Sequence, residues 1–438
     1  MTASPRQMNL ALLLGNGVHV AGWRMPEAEF GPDSFDLALR QTRIVEEAKF
    51  DMVFLADNLA AGMDAPPGIL SRLEPLTLLT ALAMKTSHIG LAATGSTTYS
   101  QPYNMARMFA SLDHLSAGRA GWNIVTSSNR AAAGNFSMDR PEAETRYEMA
   151  AEFVDICKGL WDSWEDDAFI LDKARGIPAD MSKYHAVNYK GRYHQVAGPL
   201  NMARCPQGHP VMIQAGSSAT GMAFAGKYAE VVFTVQGDLE VTKAFGRKVR
   251  EMAAAAGRDP STLKILPGIC PIIAENEGQA RKLLERLSEL ADPVAAMQML
   301  TQRMDMPELA TMPLDGPIPE RDPSKMRGHA IAMTAVAKKY GFNLRQLRDY
   351  ASASMGHRLI LGSPEQVADD LEEWFVSGAA DGFILHPIFV PGPVETFAKE
   401  VVPILQKRGL FRKEYEGRTL RDHLGLARPP HPAAVAAQ

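Results

Sequence analysis

Residues 89–125 read IGLAATGSTTYSQPYNMARMFASLDHLSAGRAGWNIV and carry one complete strand–helix–strand unit. The short apolar run at 89–93 predicts a buried strand, and the apolar spacing over 103–115 predicts a helix. The apolar run at 120–125 predicts a second strand, parallel to the first, because the crossover is long enough to hold a helix. The unit indicates an α/β protein built on a parallel sheet.

The same alternation continues in both directions along the chain of 438 residues. Strand-like runs separated by stretches of helical period occur at 9–14, 52–56, 89–93, 120–125, 211–215, 231–235, 264–273 and 382–385. Eight such runs predict an α/β fold of the (β/α)8 TIM-barrel class. A doubly wound open sheet is the structural alternative.

The chain is longer than the roughly 250 residues of a typical barrel, and two long excursions account for the excess. One covers 161–210, after strand 4, and contains a possible hairpin around 187–196. The other, rich in methionine, covers 291–353, after strand 7. We expect one barrel domain over 1–425 and a flexible tail at 426–438.

Composition excludes several classes of protein. The net charge of −4 offers no basic surface for a nucleic-acid backbone, so nucleic acid is not expected as a partner. The three cysteines are far apart and form no CxxC pair, which is typical of a reducing, cytoplasmic location rather than of a disulfide framework. No apolar run approaches the roughly 18 residues of a membrane span, so we expect no membrane partner.

The first strand is followed by GNGVHV (residues 15–20), which only partly matches a dinucleotide-binding fingerprint. The third glycine position is Val20, and the residues that follow do not open a helix, so a nicotinamide site is not predicted here. We interpret this stretch as a loop that carries His19 and Trp23 into a pocket. A structural histidine is the alternative.

Small polar residues follow four of the predicted strands. Active sites of α/β barrels lie at these strand ends, and the side chains found there suit a neutral heteroaromatic ligand rather than a metal. The metal-dependent pattern, HxH after strand 1, is absent. The strand-end residues are Asp57, Thr94, Asn123, Thr126, Ser127, Ser217 and Ser218.

The motif AGSS (residues 215–218) predicts a phosphate site at a strand-to-helix junction. Free N–H groups, the positive end of the helix dipole and two hydroxyls would hold an anion there. Tyr147, in the first turns of the fourth helix, is placed to reach the same phosphate. The alternatives are an ordinary serine N-cap and a surface tyrosine.

The 291–353 excursion is far longer than the 12–15 residues that structureless loops rarely exceed. We expect it to cover the carboxyl end of the barrel as a partly mobile lid, with His329 lining the substrate pocket. The alternative is helical packing against the outside of the barrel.

Seven motifs in fixed order carry a family resemblance: HVAGWR (19–24), FLAD (54–57), WNIVTS (122–127), RYEMAAEF (146–153), IQAGSS (213–218), GSPEQVADDLEEWF (362–375) and AADGFIL (379–385). Together they resemble bacterial-luciferase-like flavin monooxygenases, and within them the nitrilotriacetate and dibenzothiophene-sulfone monooxygenase branch. The resemblance spans residues 19–385.

The resemblance implies a two-component enzyme. A separate NAD(P)H-dependent flavin reductase supplies reduced FMN, which reacts with O2 to form a C4a-(hydro)peroxide that oxygenates a small organic substrate. The protein's part is to bind the cofactor and exclude water. The family also implies a homo-oligomer, a dimer or a tetramer.

Residue roles follow from the same resemblance. The resemblance places Asp57, Thr94 and Asn123 around the isoalloxazine, and Tyr147, Ser217 and Ser218 around the ribityl phosphate. It implies that His19 and Asp57 are the catalytic residues. It also implies that the substrate pocket is lined by His19, Trp23 and His329. Members often carry a histidine four residues before the tyrosine of the RY motif. Here that residue is Ala143, which predicts that one flavin or phosphate contact is missing or replaced.

Two other functions remain open at this level. A relative of the same fold could use the deazaflavin F420 for hydride transfer, or the chain could bind flavin without turnover. The substrate is also open among a sulfone, an aminocarboxylate, an alkane and a natural product.

Overall fold

The computed structural model describes residues 6–31, 33–61, 72–322, 326 and 328–436. The strands of that part of the chain are β1 (Asn9–Leu13), β2 (Met52–Leu55), β3 (Gly90–Ser96), β4 (Ala120–Val125), β5 (Tyr189–Lys190), β6 (Gln195–Val196), β7 (Val211–Gln214), β8 (Val231–Thr234), β9 (Lys264–Ile273), β10 (Arg358–Gly362) and β11 (Gly382–Leu385).

Eight of these strands close into a parallel barrel. Hydrogen-bonded neighbours follow the ring β1, β2, β3, β4, β7, β8, β9 and β11, and β11 pairs again with β1. The prediction of a (β/α)8 TIM barrel is therefore confirmed. The strands were readable as apolar runs because both faces of a parallel sheet are buried.

Strand β10 was not predicted. It pairs with the second half of β9, from Arg358 opposite Ile269 to Gly362 opposite Ile273, and lies beside the closed ring rather than within it. The run RLILG is short, only partly buried, and directly precedes the helix that begins at Pro364, so it lacks the long buried pattern of the barrel strands.

Helices connect the strands, and most of them begin at a polar capping residue. Ser34 accepts a hydrogen bond from the Leu37 amide, and Ser363 forms a capping box with Gln366. The helices are Phe35–Glu47, Pro75–Ala83, Pro102–Leu115, Ala143–Trp161, Ala219–Tyr228, Leu239–Ala255, Glu277–Leu290, Pro293–Met304, Gly328–Tyr340, Leu344–Ser354, Pro364–Val376, Gly392–Thr396, Val402–Lys407, Leu420–Leu424 and Pro432–Ala436. None of the described helices is long and apolar enough to cross a membrane.

The excursion at 291–353, here called the cover segment, contains three helices where the sequence analysis assigned none. Two polar starts explain them: Asp292 caps the helix that begins with Pro293, and Asn343 forms a capping box with Gln346. The three helices share an apolar cluster that also includes Val20, which directly follows His19. The cover segment thus packs on the loop that leaves β1.

The amino-terminal end of the barrel is closed by the chain after residue 410. Leu420 lies in the interior cluster of the barrel, and its amide donates to the Gly118 carbonyl just before β4. Arg412 forms a buried ion pair with Asp51, at 2.6 Å, at the start of β2. Among the described residues this end is covered, so we expect a ligand to enter from the carboxyl ends of the strands.

The first excursion contains the expected hairpin, formed by β5 and β6. In the segment expected to be a flexible tail, Arg428 forms an ion pair with Asp166, and His431 donates to the Asp162 carbonyl at 2.8 Å. The tail therefore packs on the first excursion as far as His431. The three cysteines are free and buried, namely Cys157, Cys205 and Cys270.

Candidate active site

Thr94 and Asn123 meet at the carboxyl ends of β3 and β4. They are register partners on the two strands, and Asn123 Nδ2 donates to Thr94 Oγ1 at 3.0 Å. Both side chains are buried, and Asn123 Oδ1 has no hydrogen-bond partner among the described residues. A buried amide oxygen without a partner is costly, so this atom indicates a ligand that donates a hydrogen bond to it.

The AGSS turn after β7 lies against Tyr147. A Cβ on Gly216 would lie 3.0 Å from the Tyr147 hydroxyl, and a Cβ on Gly221 would lie 2.9 Å from it. Ser218 accepts a hydrogen bond from the Gly221 amide at 3.1 Å and is the N-cap of the helix Ala219–Tyr228. The sequence alternative of a serine N-cap is thus realised, and the two glycines let the backbone of the turn lie close to the tyrosine hydroxyl.

Ser217 lies next to this turn and faces the cover segment. Its hydroxyl oxygen lies 2.9 Å from the position of a Cβ on Gly328, the first residue of a cover-segment helix. A cavity of about 240 Å³ opens beside it and is also lined by Gln236 and Lys248. The turn therefore sits at a pocket with a nearby cation.

His19 is buried in the loop after β1, with a defined tautomer. Its Nδ1 accepts a hydrogen bond from the Ala21 amide at 3.0 Å, so the ring proton is on Nε2. Burial lowers the pKa of His19 to about 4, and the ring is therefore neutral at pH 7. Nε2 has no partner among the described residues, which leaves one buried N–H donor free for a ligand.

Asp57 follows β2 and is partly buried. Burial raises the pKa of its carboxyl group, whereas the Asn58 amide and the Arg72 guanidinium act in the opposite direction. The Asn58 amide donates to Asp57 Oδ1 at 2.8 Å. A cavity of about 120 Å³ near the ends of β1 and β2 is lined by Ala56 and Arg72.

The two remaining predicted pocket residues differ in position. Trp23 is 44% exposed and packs against Phe30, with ring centroids 6.0 Å apart. His329 lies within the cover segment, where its Nε2 accepts a hydrogen bond from Arg303 Nη1 at 3.2 Å. The structure thus brings Thr94 together with Asn123, and Tyr147 together with the serine turn. It places His329 beside residues that the sequence analysis did not predict as site residues.

The sequence analysis missed three of those residues: Arg303, His357 and His386. His386 directly follows β11, so the strand-end rule would have found it had it been applied beyond the fifth strand. His357 directly precedes β10, and Arg303 is on a cover-segment helix. No sequence signal connects His357 or Arg303 with the mouth of the barrel, because only tertiary packing brings these side chains together.

One group of side chains in the described chain has ligand atoms close enough for a metal. Glu165, His185 and His431 place such atoms within 4.8 Å of one another. However, His431 Nε2 donates to a backbone carbonyl and its Nδ1 accepts from the Ala433 amide. Both ring nitrogens of His431 are thus engaged, and the group serves to attach the tail.

A closed α/β barrel with hydrogen-bonding groups around one open end defines an enzyme that holds an organic cofactor or substrate in its mouth. The model of the Luciferase-like monooxygenase family matches residues 8–381. The chain belongs to this family, as its motifs predict.

Three curated relatives cover nearly the whole chain. N-acetyl-S-(2-succino)cysteine monooxygenase of Bacillus subtilis (strain 168) is 47% identical over 98% of this chain and 99% of its own length. Nitrilotriacetate monooxygenase component A of Aminobacter aminovorans is 44% identical over 98% of both chains. Dibenzothiophene-sulfone monooxygenase of Rhodococcus erythropolis is 41% identical over 97% of this chain and 98% of its own.

These findings confirm the resemblance to the nitrilotriacetate and dibenzothiophene-sulfone branch and the prediction of a flavin-dependent monooxygenase. They favour that function over F420-dependent hydride transfer and over flavin binding without turnover. The name "component A" also indicates a two-component system.

Proposed function

We propose that the chain binds reduced FMN at the carboxyl end of the barrel and transfers one atom of O2 to a small organic substrate. The other oxygen atom leaves as water, and the flavin is released oxidised. The observation that carries the proposal is the Thr94–Asn123 pair, whose amide oxygen has no partner among the described residues, together with the close approach of the Tyr147 hydroxyl to the serine turn.

These two sites fit the two ends of FMN. The isoalloxazine ring has N–H and carbonyl groups along one edge, and Asn123 Oδ1 is a buried acceptor for such an N–H. The phosphate needs N–H and O–H donors, which the Tyr147 hydroxyl, Ser217, Ser218 and the start of the helix Ala219–Tyr228 supply. A side chain at Gly216 or Gly221 would crowd the Tyr147 hydroxyl and push it away from the turn.

His19 supplies a neutral hydrogen-bond donor. Reduced flavin activates O2 when bound, and the protein must hold the reacting oxygen without adding a fixed charge beside it. The free Nε2–H of His19 suits that role, because burial keeps the ring uncharged at pH 7. We assign His19 as a catalytic residue on this ground.

Asp57 is the second catalytic candidate. A carboxyl group with a raised pKa is suited to hold or transfer a proton near neutral pH, and burial moves the pKa of Asp57 in that direction. We retain His329 and Trp23 as substrate-pocket residues. For Trp23 this requires the exposed indole to be covered when substrate binds.

The cover segment excludes water from the mouth. It contacts the loop after β1, where the Val20 amide donates to the Ser352 carbonyl at 3.0 Å, and the turn after β7 at Gly328. Exclusion of water prevents loss of the activated oxygen as hydrogen peroxide. We therefore infer that the segment acts as a lid.

A separate NAD(P)H-dependent reductase supplies the reduced FMN in this proposal. The partial dinucleotide fingerprint at 15–20 ends at Val20 and is followed by a single 3-10 turn, Gly22–Arg24, rather than by the α-helix that a Rossmann pyrophosphate site uses. We also propose a cytoplasmic homo-oligomer, a dimer or tetramer, with one barrel domain per chain.

The proposal is tested with reduced FMN from a generic reductase. The purified chain is expected to bind reduced FMN and to consume O2 with a substrate-dependent yield of oxygenated product. Asn123→Leu should lose flavin affinity, and Asn104→Leu, at an exposed asparagine of the helix Pro102–Leu115, is the matched control. Absence of flavin binding, or binding that Asn123→Leu leaves unchanged, would contradict the proposal.

A further inference from the structure

Four basic side chains form a connected group at the mouth of the barrel, here called the basic cluster: Arg303, His329, His357 and His386. Arg303 Nη1 lies 3.2 Å from His329 Nε2, the His329 and His357 ring centroids are 5.8 Å apart, and the His357 and His386 rings stack at 3.8 Å. Chain segments from β10, β11 and the cover segment therefore converge on one point.

The basic cluster has no acidic counterpart in the described part of the chain. No Asp or Glu there forms an ion pair with Arg303. Burial lowers the pKa of Arg303 to about 10, and burial together with the positive charge of Arg303 lowers the pKa of His386 to about 3. The imidazoles are therefore neutral at pH 7, and Arg303 is the charged member; its poorly solvated guanidinium is unfavourable on its own, because a desolvated charge requires a partner.

Ring nitrogens without hydrogen-bond partners also indicate that the basic cluster binds a ligand. His386 is only 6% exposed, and neither of its ring nitrogens has a hydrogen-bond partner among the described residues. Nδ1 of His357 is also buried and has no hydrogen-bond partner among the described residues. Each such buried atom is unfavourable unless a ligand pairs with it. A ligand with several acceptor oxygens would pair with the imidazoles and the guanidinium together.

The position of the basic cluster connects it with the reaction site. His386 follows the eighth strand of the ring, and Asn123 is on the fourth, which is the strand diametrically opposite. Gly268 on β9 leaves room for the stacked rings: a Cβ there would collide with His357 Nδ1 and lie 2.9 Å from His386 Nε2. The cluster thus faces the flavin-binding pair across the mouth.

We propose that the basic cluster binds a carboxylate group of the substrate, so that this enzyme oxygenates small organic acids rather than uncharged sulfones, sulfides or alkanes. Arg303 supplies a planar pair of N–H donors that matches a carboxylate, and the imidazoles supply further donors at its side. The inference rests on the proposed function, which places the flavin at the opposite side of the mouth. The other possible source of negative charge at the basic cluster is the reduced flavin, and the test below distinguishes it from a substrate carboxylate.

The test compares binding of acids and their neutral esters. Nitrilotriacetate, succinate and N-acetylaspartate are titrated against the FMN-loaded wild type, each beside its methyl ester, and affinity is measured by calorimetry. At least one acid is expected to bind at least tenfold more tightly than its ester. If no acid exceeds its ester, while flavin binding and O2 consumption are intact, the carboxylate site is wrong and the proposed function stands.

Arg303→Met identifies the group responsible. This variant should lose the acid-over-ester preference by at least tenfold and keep its FMN affinity within twofold. Equal loss of FMN affinity would assign the cluster to the flavin instead and overturn the proposal. Arg345→Met, which removes an exposed arginine of the same segment, is the control and should retain the preference.

Stability separates a binding role from a structural one. Because Arg303 is charged, buried and without an acidic partner among the described residues, Arg303→Met should raise Tm rather than lower it, as is common where function and stability conflict. His386→Phe keeps a stacked ring but removes both nitrogens, so it should reproduce the loss of preference. A lower Tm with an unchanged preference in both variants would show that the cluster only supports the fold.

Discussion

The Ser217 hydroxyl and Gly328 lie against each other, with the oxygen 2.9 Å from the position of a Cβ on the glycine. Ser217 belongs to the turn that we assign to the flavin phosphate, and Gly328 begins a helix of the cover segment. Flavin binding and closure of the cover segment therefore act on the same contact. An ordered phosphate at the turn should also order the first helical turn after Gly328.

This contact predicts slower hydrogen exchange in the cover segment when ligand binds. Amides of 291–353 should exchange more slowly with FMN present, and more slowly again with FMN and substrate, with the largest change at 328–340. The helix Pro364–Val376, which packs on the barrel rather than over its mouth, is the internal control. Equal exchange in all states would leave the cover segment as a fixed scaffold.

Ser218→Asp should weaken FMN binding at least tenfold without unfolding the protein. Aspartate caps helices as well as serine does, so the helix Ala219–Tyr228 should persist, while a carboxylate now repels the phosphate. Fluorescence titration of FMN measures the effect. Ser363→Asp makes the same change at the N-cap of Pro364–Val376 and should leave the dissociation constant unchanged. Unaltered affinity in Ser218→Asp would refute the phosphate assignment.

His19→Ala should retain FMN but lose coupling between O2 consumption and product. The substitution removes the free Nε2–H donor, so the activated oxygen would decay to hydrogen peroxide. The measurement is product formed per O2 consumed, beside the peroxide released. His114→Ala, at an exposed histidine, is the control. Full coupling in His19→Ala would return His19 to a structural role.

Buried His423 should make stability fall in acid. Burial, helped by Arg412, lowers the pKa of His423 to about 4 in the folded chain, against about 6.5 in the unfolded chain. Below pH 6.5 the unfolded chain therefore binds a proton that the folded chain does not. The free energy of unfolding should fall by about 1.4 kcal/mol per pH unit from this group, down to about pH 4.

Urea unfolding of wild type and His423→Gln at pH 7 and pH 5.5 tests this slope. The variant should lose less stability than the wild type over the interval, and His114→Gln should match the wild type. Identical slopes in all three proteins would mean that His423 is protonated in the folded state or already exposed.

Arg412→Met should destabilise the barrel by about 3–5 kcal/mol, because it leaves the buried Asp51 carboxylate without its cation. The Asn9 side chain and the Leu10 amide still donate to that carboxylate, so the fold should survive. Asp51→Asn added to Arg412→Met should recover part of the loss. Arg345→Met, at an exposed ion pair, should leave Tm unchanged, and a similarly small effect for Arg412→Met would contradict the prediction.

The barrel was predictable because each of its eight strands is a continuous apolar run. Strand β10 was not, since its Ile360 and Leu361 lie outside the ring and only β9 defines their register. The cover-segment helices could have been predicted from the capping residues Asp292 and Asn343, which precede Pro293 and Leu344.

Part of the candidate site was also predictable from the sequence, and part was not. Thr94 and Asn123 follow from strand position alone, because register pairs them on adjacent strands. The basic cluster does not follow from any motif, because Arg303 and His329 come from two helices whose packing no local pattern specifies. Its strand-end member, His386, was accessible to the same rule that found Asn123.

The burial of all three thiols has a practical consequence. Burial raises the pKa of Cys157, Cys205 and Cys270, so none of them presents a reactive thiolate at neutral pH. A single cysteine introduced at Ile331, which is 40% exposed on a cover-segment helix, would then react alone with a maleimide dye. Because the native cysteines would not be labelled, one fluorophore at residue 331 could report the opening and closing of the cover segment in real time.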